Sequence, residues 1–102
     1  MKVYFHPSLN QVELATVMQA LSDSCRIAVI RGLAKGGELA CSEIAVDVSK
    51  ATRSYHFDVL RAAGLIFTRT KGKKRMTSLR KAELDERFPG LLKLDGIGVE
   101  AW

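Results

Sequence analysis

Apolar residues recur three or four apart along most of this chain, the spacing of a buried helix face, and give way to a different pattern in one place. From Leu9 to Leu21 they stand at Leu9, Val12, Leu14, Ala15, Val17, Met18 and Leu21. That stripe is broader than one seam and predicts a helix packed on two sides. A second helix is predicted from Cys25 to Lys35, with Ile27, Ala28, Ile30 and Leu33 inward. Ser22-Asp23 supplies its cap and Gly36-Gly37 its stop. Glu38-Leu39-Ala40-Cys41 then bridges to a short third helix, Ser42 to about Asp47, with Ile44 and Ala45 inward.

Ser49 is the predicted cap of a fourth helix, Lys50 to Ala63, which Gly64 ends. At a helical turn angle Thr52, His56, Val59, Leu60 and Ala63 fall on one side, with Phe57 at the edge. Lys50, Ala51, Ser54, Tyr55 and Asp58 project on the other. The period then changes. Leu65 to Thr70 and Arg75 to Leu79 are β-prone runs joined by Lys71-Gly72-Lys73-Lys74, the pattern of a hairpin. Arg80 to Leu94 returns to helical spacing through Leu84, Phe88, Leu91 and Leu92, and Pro89-Gly90 interrupts it. Residues 1–8 are expected as extended chain ahead of and around Pro7, with His6 exposed, and residues 95–102 as a loose tail.

Charge sharpens this outline. Of 16 Lys/Arg, eight lie between Lys50 and Arg75 against the single acid Asp58, so the whole positive excess of a chain with net charge +5 falls on one quarter of its length. Such concentration is the electrostatic footprint of a nucleic-acid binder. The outward face of the fourth helix is polar and its first turns are free of acid. A helix entering a major groove N-terminus first needs such a face, because base edges are read by hydrogen-bonding side chains and by apolar contact with thymine methyls. Arg69, Lys71, Lys73, Lys74 and Arg75 put five cations in seven residues on the hairpin, within reach of phosphates or the minor groove. The plainer alternative is a solvated turn that blocks edge-strand pairing.

At 102 residues there is room for one domain, residues 1–102, with a modest core that a partner subunit would help to cover. No apolar run is long enough to span a membrane and no signal-peptide segment opens the chain, so the expected compartment is the cytoplasm. Two cysteines, Cys25 and Cys41, make no Cys-x-x-Cys and no Cys/His spacing of a zinc site, so neither a metal nor another cofactor is expected. Both fall near predicted helix starts, where a thiolate is favoured. They are read either as redox-sensing thiols or as small buried hydrophobes. A bond between them within one subunit is not expected, whereas one across a dimer stays open. Catalysis by a Cys41–His56 thiol–imidazole pair oriented by Asp58 would need a water-excluding pocket that a domain of this size hardly offers. A general RNA or DNA binder is the nearer rival, although the wing tip lacks stacking aromatics.

A helix-turn-helix at about 42–63, a wing at about 65–79 and a last helical segment at about 80–94 form the outline of a winged helix-turn-helix, mainly α with a small hairpin. The residues resemble the ArsR/SmtB family of bacterial repressors over roughly residues 10–94. The resemblance is carried by Ala20-Leu21-Ser22-Asp23-x-x-Arg26, by Gly37-Glu38-Leu39, and by Ser49-x-x-Thr52-x-Ser54-x-His56-Phe57-x-x-Leu60-Arg61-x-x-Gly64-Leu65 running into the wing through Gly72. Arg80-x-x-Glu83-Leu84-Asp85-x-Arg87-Phe88-Pro89-Gly90-Leu91-Leu92 is similar to the last helix of one branch. The resemblance implies an α-α-α-α-β-β-α domain that dimerises through its first and last helices. It also implies a near-palindromic operator that the protein leaves when an effector, which the sequence does not name, arrives. Where many members carry a Cys-x-Cys pair, Glu38–Glu43 has one cysteine, and the last helix lacks the family's Asp-x-His and His-x-x-Glu zinc pairs. The third helix and turn run about two residues short. On this reading Ser49, Lys50, Ala51, Thr52, Arg53, Ser54, Tyr55, Arg69, Lys71, Lys73, Lys74 and Arg75 meet DNA. Lys50, Ala51, Ser54 and Tyr55 are expected at base edges, and Thr52, Arg53 and the wing cations at the backbone or minor groove.

Overall fold

The computed structural model describes residues 4–44 and 46–93; the tail expected at 95–102, and the inward placement of Ala45, lie outside them. Four α-helices surround one core: α1 (Leu14–Ala20), α2 (Ser24–Gly36), α3 (Lys50–Ala62) and α4 (Lys81–Arg87). Three strands, β1 (Leu39–Ala40), β2 (Ile66–Lys71) and β3 (Lys74–Leu79), form an antiparallel sheet in the order β1-β3-β2. The core gathers Val17 and Ala20 of α1, Val29, Ile30 and Leu33 of α2, Phe57 and Leu60 of α3, Leu65 and Ile66, and Leu84, Phe88, Leu91 and Leu92 near the end. This is a winged helix-turn-helix architecture, as the sequence pattern implied.

Two expected helices are altered by tertiary contacts. The first is broken: Leu9–Gln11 forms a single 3₁₀ turn and α1 begins only at Leu14, after an extended Glu13. The break leaves the Leu9 and Val12 carbonyls turned aside, and Arg87 donates to both (3.0 and 3.1 Å). Leu9 and Val12 themselves are buried. The expected helix from Ser42 to Asp47 is not an α-helix. Leu39 and Ala40 pair with Thr77 and Met76 of β3, and a 3₁₀ turn at Cys41–Glu43 follows directly. Its cap is the Glu43 carboxylate, which accepts the Ala40 N–H (2.8 Å). The residues beyond, Ile44, Val46 and Val48, are β-branched and resist a helix in so short a span.

α3 follows the expected limits because its ends are local. Ser49 Oγ accepts the Thr52 N–H (3.2 Å) at the start. At the finish Gly64 N–H bonds the Arg61 carbonyl and Leu65 N–H bonds that of Leu60, a Schellman closure with Gly64 at φ +80°. Phe57 is fully inside the core, and Thr52, expected on the inner side, is exposed.

His6 is also not the free residue expected. Its Nε2 accepts the Thr68 N–H of edge strand β2 (2.9 Å), and its ring stacks on Phe67 at 4.5 Å. Arg80 holds the same segment by donating to the Pro7 carbonyl (2.9 Å), and Arg61 lies over the Tyr4 ring. Desolvation, and then the nearby Arg80 and Arg61 cations against a weaker pull from Glu83, lower the His6 pKa from its ordinary 6.5.

Two outcomes follow from this packing. Gly64→Ala is expected to lose about 2–4 kcal/mol of stability, because alanine disfavours positive φ and its Cβ would run into Leu9. Urea unfolding with an unchanged slope and a lower midpoint checks it. The depressed pKa of His6 means that the unfolded chain takes up the proton first. Its contribution is therefore present above pH 6.5 and is lost as pH falls towards the folded value. In His6→Ala the unfolding midpoint should vary less with pH over that window than in the native chain.

Candidate nucleic-acid interface

The wing folds back so that its tip stands beside the start of α3. The hairpin closes through a two-residue turn, with Lys71 opposite Lys74 and Gly72 at φ +62° taking the position that other residues avoid. A cleft of about 380 Å³ lies between wing and helix, bounded by Lys50, Arg53, Ser54 and Phe57 of α3, Lys73, Lys74 and Arg75 of the wing, and Ala40–Ser42. Five of these residues are cationic and none is acidic. Arg53 Nε is buried there without a hydrogen-bond partner among the described residues. An unpaired buried donor in a cationic cleft suits an anionic oxygen.

The other expected contact residues divide by what already engages them. Lys50, Ala51 and Tyr55 are exposed on the outer face of α3, Tyr55 to 61%, and Ser54 is half-buried at the cleft wall. The hydroxyl of Ser49 caps the helix and also bonds Thr52 Oγ1 (2.9 Å), so both side chains are engaged locally. Arg69 does not line the cleft. It makes a two-point ion pair with Glu38 (2.7 Å for both contacts). The side-chain bond and charge of Arg69 hold the Glu38 pKa below the usual carboxylate range, and Glu38 raises that of Arg69 in return. Lys71 is exposed and lies outside the cleft.

Behind the helix, the Arg26 guanidinium joins three elements. Its Nε donates to the Ala20 carbonyl at the end of α1 (2.7 Å), and its Nη1 donates to Nδ1 of His56, buried on the inner face of α3 (3.1 Å). Arginine has only donors, so His56 Nδ1 is the acceptor and the ring proton sits on Nε2. Asp23 caps α2 by accepting the N–H groups of Cys25 and Arg26 (2.8 and 3.2 Å). The bond from the Arg26 N–H leads the causes that lower its pKa. Cys41 meets Thr77 Oγ1 (3.2 Å) while His56 meets Arg26, so the thiol–imidazole pair weighed from sequence does not form. Both cysteines are free thiols and half-buried.

Comparison with known proteins agrees with this geometry. Residues 21–69 match a family described as a helix-turn-helix domain. The chain is 42% identical over 82 residues to the uncharacterised HTH-type transcriptional regulator YceK of Bacillus subtilis, covering 78% of this chain and 82% of that one. It is 35% identical over 66 residues to a cadmium resistance transcriptional regulatory protein, a CadC homologue of Staphylococcus aureus, covering 63% of this chain and 54% of that protein. Among solved structures, an ArsR-like transcriptional regulator from Rhodococcus sp. RHA1 superposes with a TM-score of 0.65 at 27% identity, covering 78% of this chain and 76% of the other. A second ArsR family regulator gives 0.62 at 28% identity, covering 78% and 81%.

The chain belongs to the ArsR family of winged helix-turn-helix transcriptional regulators. Members of this class act on transcription through DNA and are not enzymes. Among the described residues no helix is long and apolar enough to cross a membrane. For an ArsR-family chain, Arg26 and His56 are the residues that sequence reasoning undervalued. Both fell within the matching motifs, but their joint role in holding α3 shows only when residues 26 and 56 are brought together.

The two classes of wing cation should separate in a salt series. Arg75→Ala is expected to flatten the dependence of log affinity on log salt by about one unit. Arg69→Ala should change it by less than about half as much, because Arg69 must leave Glu38 before it meets a phosphate.

Proposed function

We propose that this regulator is a dimeric repressor that reads a near-palindromic operator with α3 and clamps the adjoining backbone with the wing. The cationic cleft carries the proposal: two separate elements, the first turns of α3 and the hairpin tip, bring five positive charges to one surface with no acid between them. In this reading Lys50, Ala51, Ser54 and Tyr55 meet base edges. Arg53, Lys73, Lys74 and Arg75 meet phosphate, with Thr52 and Lys71 beside them. Ser49 acts through the helix cap, and Arg69 contributes less than the other wing cations because Glu38 holds it.

Support for the dimer comes from α1. Leu14 and Met18 stand one turn apart on its outer face, 48% and 42% exposed, while Val17 and Ala20 on the inner face are buried. A stripe apolar on two sides suits a helix that meets its own core and a second copy. The described part of the last segment turns Ala82, Glu83 and Glu86 outward, so α1 supplies the apolar share of the contact. A twofold pair places two α3 helices one DNA turn apart, which gives the operator its symmetry. Occupying a promoter in this way blocks transcription, and an effector that lowers DNA affinity restores it.

Selection of bound fragments from genomic DNA, followed by titration, tests the proposal. The expected result is a dimer by light scattering that keeps its operator in excess random duplex. Tyr55→Ala should cost about 1–3 kcal/mol on the operator and little on random DNA. Lys73→Ala should weaken both alike. A monomer with equal affinity for every duplex would instead identify a general nucleic-acid binder.

A further inference from the structure

The cap of α2 and the inner face of α3 bring His56 beside Asp23 and Cys25, which precede it by 33 and 31 residues. A carboxylate oxygen of Asp23, the Cys25 sulfur and a ring nitrogen of His56 all lie within 4.8 Å of one another. Donors at that spacing sit no more than about 2.8 Å from a common centre, against about 2.3 Å for a zinc–sulfur bond and 2.0–2.2 Å for zinc–nitrogen or zinc–oxygen. Small rotations of the half-buried Asp23 and Cys25 side chains close the difference. Only one Asp23 oxygen serves the helix cap, and the Cys25 sulfur has no hydrogen-bond partner among the described residues.

We propose that Asp23, Cys25 and His56 form a binding site for one zinc-class divalent ion per chain, with water completing a four-coordinate set. Thiolate with imidazole selects such ions over magnesium or calcium, which prefer oxygen alone. The opposing group is Arg26, whose Nη1 occupies His56 Nδ1. An ion at Nδ1 takes that position, and the guanidinium swings into the adjoining cleft of about 260 Å³ that it already lines with Ala20, Tyr55 and Val59. Charge favours the exchange: the Asp23 carboxylate and the Cys25 thiolate together balance the divalent ion. As the sulfur–metal bond forms, the thiol gives its proton to water, so affinity rises with pH. The site lies apart from Glu38–Glu43, where the family resemblance would put a thiol pair. It joins the start of α2 directly to the recognition helix.

Cadmium(II) is the probe, because a thiolate–cadmium bond produces an ultraviolet charge-transfer band. Titration of the full chain under reducing conditions should give the band at one ion per chain, with zinc(II) displacing it. Cys25→Ser, close to isosteric, should abolish the band, and Cys41→Ser should keep it. Asp23→Asn and His56→Gln should each weaken binding at least about tenfold, since loss of a ligand costs no less than loss of a group that orients one. A band that survives Cys25→Ser, or is lost only in Cys41→Ser, would overturn the site. So would unchanged affinity in folded Asp23→Asn. Circular dichroism confirms the fold of each variant, and Cys25→Ser decides the matter if His56→Gln unfolds.

Discussion

The position of α3 depends on one guanidinium. Arg26 leaves the first turn of α2, bonds the last carbonyl of α1 and reaches His56 on the inner face of α3. A half-buried cation is costly unless its donors are matched, and a buried imidazole is costly unless its lone pair is matched. Each satisfies the other. Asp23 secures the arrangement from below by capping the turn from which Arg26 projects. The three helices are thereby locked by a polar contact set beside the apolar core of Leu33, Leu60 and Leu65.

With its back held in this way, α3 is free to present an outer face with few internal obligations. The fold treats its positive charges unequally. Arg61, Arg80 and Arg69 sit in ion pairs with Asp58, Glu83 and Glu38. Arg87 and Arg80 also hold backbone carbonyls of the N-terminal segment. The cations around the cleft, by contrast, face one another across open space with no acid among them. Like charges kept together without a counter-ion raise the free energy of the isolated protein. A polyanion relieves this, and so the same arrangement destabilises the free state and favours the bound one.

The N-terminal segment has a part in this that its composition conceals. β2 is an edge strand of the sheet, and unpaired strand edges invite association. His6 satisfies the Thr68 N–H on that edge, while Arg61 of α3 and Arg80, the cap residue of α4, hold Tyr4 and Pro7 beside it. The wing is thus anchored at its base while its cationic tip stays clear.

Much of this was legible in the residues alone. The limits of α3 follow from Ser49 and Gly64, the wing from two β-prone runs about a glycine, and the outward side of α3 from the polar set at Lys50, Ser54 and Tyr55. Caps, turns and helix faces depend on neighbours within four residues, so local sequence determines them. Only the tertiary structure decided the rest. Leu39-Ala40 became a strand because Thr77 and Met76 offered a ladder, and the third helix shrank to one turn. Arg69 lost its freedom to Glu38, His6 gained a strand edge, and Asp23, Cys25 and His56 met at one point. Each of these meetings brings in a residue about thirty or more positions away. Such pairings form only after the core has closed the chain between them, and no local pattern records which distant partner that closure delivers.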